Sequence, residues 1–206
     1  KGGSSLKGAV AAASHTGAIV GQDAALDAFL EQNGIWRAHD IHELVNAAPL
    51  YLSDFSPGTG RTVVMSHSGA VGVLCADAAE RIVLPLAELG STTCNNLRSL
   101  LPSFATAANP LDLTAALLGD KEMFPRVLDV LGDSHEADMF LFGIPVAGPG
   151  YDVPALASAT AAFASHNRKP VAVTAPQESV RRQFQHHGIP TFTGETDAVR
   201  ALNQYF

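Results

Sequence analysis

The sequence predicts an α/β protein built on a parallel sheet with helices on both faces. Two observations carry this. From residue 62 onward, short apolar runs alternate regularly with stretches of helical periodicity. The composition, 47% hydrophobic and 16% charged over 206 residues, supports a large buried core and argues against disorder.

The first element is a polar, small-residue stretch. Residues 1–20 are rich in Gly, Ser, Ala and Thr around His15, and this composition predicts a loop. Ala25, Leu26, Phe29 and Leu30 then share one helical face, and Asn33-Gly34 ends that helix. Asp40 followed by Glu43 reads as a capping box before a second stripe of Ile41, Leu44, Val45, Ala48 and Leu52, with Pro49 disturbing its end. A loop and two helices make a poor independent domain. With an opening on Lys1-Gly2-Gly3, they read as the remainder of an upstream α/β domain in a longer chain. The segment Ser53–Gly60 (SDFSPGTG) gathers connector residues, which gives a first piece of 1–53, a linker of 54–60 and a second domain of 61–206.

In that second domain, strands are expected at Thr62–Ser66, Leu84–Glu88, Pro110–Leu113, Met139–Ile144, Val171–Thr174 and Thr191–Thr193. Helical patterns fall near 70–81, 91–101, 121–131, 154–166, 176–187 and 195–205. Val71/Leu74/Cys75 and Phe124/Val127/Leu128/Leu131 show the spacing.

A formal charge of -7 and the lack of basic runs argue against nucleic-acid and membrane-surface partners. No apolar run is long enough to cross a bilayer. Cys75 and Cys94 stand in no metal-type spacing, so a reduced, cytoplasmic setting without a bound metal is expected. Lys169 and Arg181-Arg182 read as solvated charge, and His186-His187 as a helix end.

The strongest local signal is Val63-Val64-Met65-Ser66-His67-Ser68-Gly69-Ala70, where a strand ends and a helix begins at a Ser/Gly turn. The first amides of a helix have no partner within it and lie at its positive end, so Ser66, Ser68, Gly69 and Ala70 form a candidate phosphate cradle. The same pattern fits an ordinary turn with Ser68 as N-cap. In a sheet of order 2-1-3-4-5, the crevice between strands 1 and 3 would join this turn to Asn109-Pro110-Leu111-Asp112-Leu113-Thr114. Asn109 and Asp112 are therefore candidate supporting residues, though Asp112 also fits a plain turn. Gly143–Tyr151 is a candidate wall. In Ser14-His15-Thr16-Gly17, small residues leave an imidazole able to attack a phosphoryl group, although a lone loop histidine is more often without special function.

Together these residues resemble a known family. The run from Lys1-Gly2-Gly3 through Ser14-His15-Thr16-Gly17-Ala18 resembles the phosphohistidine segment of the ADP-forming acyl-CoA synthetases, relatives of succinyl-CoA synthetase. Thr62–Asp77, Leu101-Pro102-Ser103-Phe104, Asn109–Leu113 and Gly188–Thr191 resemble the flavodoxin-like domain that follows in that family. The His67-Ser68 turn differs from the Asn/Gly-rich form common in relatives.

The resemblance implies His15 as the catalytic phosphate carrier, supported by Ser14, Thr16 and Gly17, in an enzyme that makes acyl-CoA from a carboxylic acid, CoA and ATP through an acyl phosphate. It implies ATP with Mg and CoA bound by other parts, a CoA-binding and an ATP-grasp domain or subunit as partners, and an oligomer. The alternatives are a regulatory acyl-CoA-binding module of a related protein acetyltransferase and a non-catalytic interaction domain.

Overall fold

The computed structural model describes residues 3–16 and 23–206, with the side chains of residues 14–16 outside that description. The chain divides into two compact units, Lys1–Leu44 and Val45–Phe206.

The first unit contains α1 (Leu6–Thr16), α2 (Asp23–Gln32) and the start of α3 (Ile41–Leu52). The expected loop over residues 1–20 is thus corrected to a helix for most of its length. Ala9, Ala11, Ala12 and Ala13 are strong helix formers, and small size alone does not signal a loop. Ser5 starts the helix: its Oγ accepts from Gly8 N–H at 3.1 Å and its carbonyl from Ala9 N–H at 2.8 Å.

Gly34, at φ 62°, closes α2 as its sequence position suggests, with Ile35 N–H donating to the Leu30 carbonyl at 2.8 Å. The capping box is present in modified form. Glu43 N–H donates to Asp40 Oδ1 at 2.7 Å, but the Glu43 carboxylate reaches back to His39 N–H. Arg37 bonds Asp23 at 2.9 Å and Asp27 at 2.5 Å, and both carboxylates raise its pKa. None of the described side chains from 3–13 and 23–44 is fully buried. Pro49 lies inside α3, which continues through it to Leu52.

The second unit holds β1 (Thr62–Ser66), α4 (Gly69–Ile82), α5 (Ser91–Leu100), β2 (Leu111–Asp112), α6 (Met123–Ser134), β3 (Met139–Gly143), α7 (Val153–Asn167), β4 (Val171–Thr174), α8 (Glu178–His186), β5 (Thr191–Phe192) and α9 (Glu195–Tyr205). Its sheet is parallel throughout, in the order β2-β1-β3-β4-β5. The three central strands are buried at every position, as strands covered on both faces must be.

On one face, α5 to α8 pack in sequence over Val63, Met65, Phe140, Phe142, Val171 and Val173. Phe124 stacks on Phe142 at 4.7 Å, and Phe163 meets Phe140 edge-on at 4.8 Å. On the other, α4 packs against α9, burying Val71, Cys75, Ala198, Val199 and Leu202. Burial pushes the Cys75 thiol up to about 12, in keeping with a core role.

The expected strand at Leu84–Glu88 is not formed. Only Leu86 bridges to Thr62, while Leu111–Asp112 pairs with Met65–Ser66 farther along the same side of β1. One sheet position is thus shared by two chain segments. The Asn109 side chain fills the gap between them: Oδ1 accepts from Val64 N–H at 2.8 Å, and Nδ2 donates to the carbonyls of Thr62 and Ala87 at 2.8 and 2.9 Å.

The 53–60 connector is fastened to this unit. Asp138 accepts from Thr59 Oγ1 at 2.7 Å and from Arg61 Nε at 3.0 Å, and the Arg61 guanidinium holds its carboxyl well below the usual carboxylate range. Lys169 and Arg181 are likewise more than solvated charge. Lys169 Nζ donates to the Ala137 carbonyl at 2.6 Å, and Arg181 Nη1 to the Ala175 carbonyl at 2.7 Å. Burial pushes the Lys169 pKa down.

Candidate phosphate site

Ser66 ends β1 in register with Asp112 of β2 on one side and Gly143 of β3 on the other. Its Oγ accepts from Ser68 N–H at 3.0 Å, which tightens the turn into α4. Ser68 occupies the N-cap position in extended conformation, yet its side chain makes no capping bond. Its carbonyl accepts from Val71 N–H at 3.1 Å, and among the described residues the amides of Gly69 and Ala70, at an exposed helix end, have no acceptor. These donors, with the Ser68 hydroxyl, have the chemistry that binds a phosphoryl oxygen.

Close packing fixes the position of this turn. A Cβ at Gly143 would stand 2.4 Å from Val71 Cγ1, and one at Gly72 would stand 3.1 Å from Pro110 Cβ. The glycines let the first turn of α4 approach both β3 and the β2 loop. Beside it lies a cleft of about 420 Å³, lined in part by Ser68, Gly69, Thr106, Pro110 and Asp112.

Asp112 reaches the same helix end: a Cβ at Gly69 would be 3.2 Å from its Oδ2. Its Oδ1 accepts from Thr114 N–H at 2.9 Å. The expected meeting of the Ser66–Ala70 and Asn109–Thr114 loops therefore occurs, but by a different route. Their strands are direct neighbours, and the reversal of strand order lies between β1 and β3. The Gly143–Tyr151 segment follows β3 on that side, and Gln177 clasps it through Ala147, accepting from its N–H at 2.6 Å and donating to its carbonyl at 3.2 Å.

Ser66, Ser68, Gly69, Ala70 and Asp112 thus come together in the second unit. Asn109 does not point into the cleft as a supporting residue, because its amide is committed to the sheet. The backbone of Ser14, His15 and Thr16 lies in the last turn of α1, in the first unit; their side chains, and Gly17, lie outside the described residues. Among the described residues, no three His, Cys, Asp or Glu side chains gather as a metal site requires, and no helix is long and apolar enough to cross a membrane.

Sequence reasoning missed the burial of His67. Its ring packs against Tyr151 with centroids 4.8 Å apart. Burial pushes its pKa down, against the opposing pull of the Val146 backbone and the Asp112 carboxylate.

The succinyl-CoA ligase like flavodoxin domain family matches residues 1–51. An ADP-forming acetate–CoA ligase I from Archaeoglobus fulgidus is 32% identical over 98% of the chain and 29% of its own length. The alpha subunit of an ADP-forming acetate–CoA ligase II from Pyrococcus furiosus is 31% identical over 98% of the chain and 45% of its own. Over nearly its whole length the chain is thus similar to ADP-forming acetate–CoA ligases.

It spans less than half the length of those two synthetases. A crystal structure of PH0766 from Pyrococcus horikoshii superposes with a TM-score of 0.79 at 26% identity, over 90% of this chain and 44% of that one. The dinucleotide-forming acetyl-coenzyme A synthetase 1 of Ca. Korarchaeum cryptofilum, solved with phosphate and ADP, shares the fold at a TM-score of 0.85 and 20% identity, over 98% of this chain and 44% of its own.

Proposed function

We propose that this chain is the phosphoryl-handling part of an acyl-CoA synthetase that forms acyl-CoA from a carboxylic acid, CoA and ATP in the cytoplasm. In this reading residues 1–53 close the phosphohistidine domain, 54–60 connect, and 61–206 form the flavodoxin-like domain that follows. His15 is the carrier. A lone pair on its neutral imidazole attacks the γ-phosphorus of ATP, the P–O bond to ADP breaks with its electron pair leaving on ADP, and a phosphoramidate forms. A carboxylate oxygen of the acid then attacks that phosphorus, the P–N bond breaks with its electron pair returning to the imidazole, and an acyl phosphate is released. The N-terminus of α4, with Ser66 and Ser68, holds phosphoryl oxygens. Mg-nucleotide and CoA are held by other domains or a partner subunit of the assembled enzyme.

The observation that supports this most directly is the pair of amides at Gly69 and Ala70, without an acceptor among the described residues, beside a Ser68 hydroxyl that makes no capping bond, in a chain similar to ADP-forming acetate–CoA ligases. The test is to incubate the full-length enzyme and any partner subunit with labelled ATP and to measure acid-labile, base-stable phosphate. His15→Ala is expected to abolish that label. An unchanged label in the variant means that the carrier lies elsewhere.

A further inference from the structure

Asn33-Gly34 is the one place in the sequence where an asparagine precedes a glycine, and it caps the C-terminus of α2. Two backbone bonds close the cap. Ile35 N–H donates to the Leu30 carbonyl at 2.8 Å, and Gly34 N–H donates to the Glu31 carbonyl at 3.1 Å, with Gly34 at φ 62°. The Asn33 carboxamide is turned back along the helix, where Nδ2 donates to the Phe29 carbonyl at 2.7 Å.

A backbone nitrogen can attack the carboxamide of the asparagine before it, and a glycine at that nitrogen leaves the path unshielded. Here nothing stands within 4 Å of where a Gly34 Cβ would be. In the closed cap both reacting groups are held: the nitrogen by Glu31 and the carboxamide by Phe29. Opening the cap frees both. That opening is cheap, because residues 31–35 are exposed, no side chain of α2 is buried, and the bonds to be broken lie at a helix end.

We propose that Asn33 is a site of spontaneous covalent modification, reached through the open cap of α2. The Gly34 nitrogen gives up its proton and attacks Asn33 Cγ. An N–Cγ bond forms, the Cγ–Nδ2 bond breaks, and Nδ2 leaves as ammonia with a proton in place of the lost bond. Water then adds to one carbonyl of the succinimide and breaks its bond to nitrogen, which recovers a proton. The product is aspartate or isoaspartate, according to the carbonyl attacked. Either one sets a carboxylate at the negative end of the α2 dipole. Isoaspartate also routes the backbone through the former side chain. The added methylene shifts the Gly34 and Ile35 amides out of register with the Glu31 and Leu30 carbonyls, so the turn that leads α2 towards α3 loses its fixed form.

The test holds the full-length enzyme, with any partner subunit, at mildly alkaline pH and samples it over time. Peptide mapping reads conversion of amide to acid at each asparagine, and an isoaspartate-specific methyltransferase reads the isomer. Hydrogen exchange at the Gly34 and Ile35 amides gives the open fraction of the cap. A free peptide of residues 29–37 gives the rate without it. Conversion at Asn33 is expected to outrun that at Asn46, Asn95 and Asn203, to rise with pH, and to equal the peptide rate multiplied by the open fraction. Ile35→Ala trims the apolar residue that follows the cap, and is expected to raise the open fraction and the conversion rate by the same factor. Asn33→Gln is expected to remove the isoaspartate signal. Conversion at Asn33 no faster than at Asn203 overturns the proposal. Conversion far above the peptide rate multiplied by the open fraction overturns the open-cap route. If Ile35→Ala fails to fold, the wild-type comparison of rate with open fraction decides alone.

Discussion

Gly143→Ala tests how tightly the candidate site is built. The new methyl would stand 2.4 Å from Val71 Cγ1, 3.4 Å from Ser66 Oγ and 3.5 Å from Ser66 Cβ. Carbon atoms in contact sit about 3.5–4.0 Å apart, so the helix and strand must separate by more than about 1 Å. Val71 is 4% exposed, and a β-branched side chain on a helix has little rotamer freedom with which to yield. Overpacking of this kind costs about 1–3 kcal/mol. Gly143 has an ordinary backbone conformation, so loss of glycine's unfolded-state entropy returns about 0.4–1 kcal/mol. The expected net destabilisation is about 1–2 kcal/mol, read as a lower urea midpoint with unchanged slope. Val71→Ala alone should also destabilise, by loss of buried methyl groups. In the double variant the methyl introduced at position 143 occupies the vacated space, so the double should be more stable than the sum of the singles by at least about 1 kcal/mol. Additivity within about 0.5 kcal/mol would refute the contact and the claim that Gly143 sets the approach of α4.

Two further outcomes follow from the same structure. Asn109→Ala strands the Val64 amide and the Ala87 carbonyl inside the sheet, and is expected to cost about 2–4 kcal/mol in thermal or urea unfolding; a near-neutral result would show that the bracket is dispensable. Asp138→Asn is expected to destabilise by about 2 kcal/mol at neutral pH. Because Arg61 and Thr59 depress the folded-state pKa of Asp138, its contribution is present above the unfolded value of about 4 and is lost as pH falls below it, so wild type and variant should converge in acid.

The helices α4 to α9 were legible because each carries apolar residues at helical spacing, and a parallel sheet covered on both faces followed from the alternation of elements. Three parts were not legible, each for a physical reason. The Leu84–Glu88 run has the content of a strand, but the ladder beside it is completed by a side chain from Asn109, and no local pattern announces such a substitution. For the same reason Asn109 looked like a site residue. The Ala-rich stretch before His15 carries both loop-like size and helix propensity, and the propensity prevails. His67 lies in a Ser-His-Ser run that suggests solvent. It is buried by Tyr151, far along the chain, and only the fold brings the two rings together. The phosphate cradle itself was visible, because a strand, a Ser/Gly turn and a helix start are all local features.

The sharing of one sheet position between Leu86 and Leu111–Asp112 has a colloidal consequence. The outermost strands, β2 and β5, are each only two residues long, while the longer apolar strands lie inside with neighbours on both sides. A sheet rim becomes a template for stacking against other molecules when it exposes a long row of unpaired amides. Here each rim ends after two residues and passes into turns. A sheet this rich in Val, Leu and Phe is thereby protected from growing into a fibre at its margins, and Asn109, by standing in for a continuous strand, keeps one of those margins short.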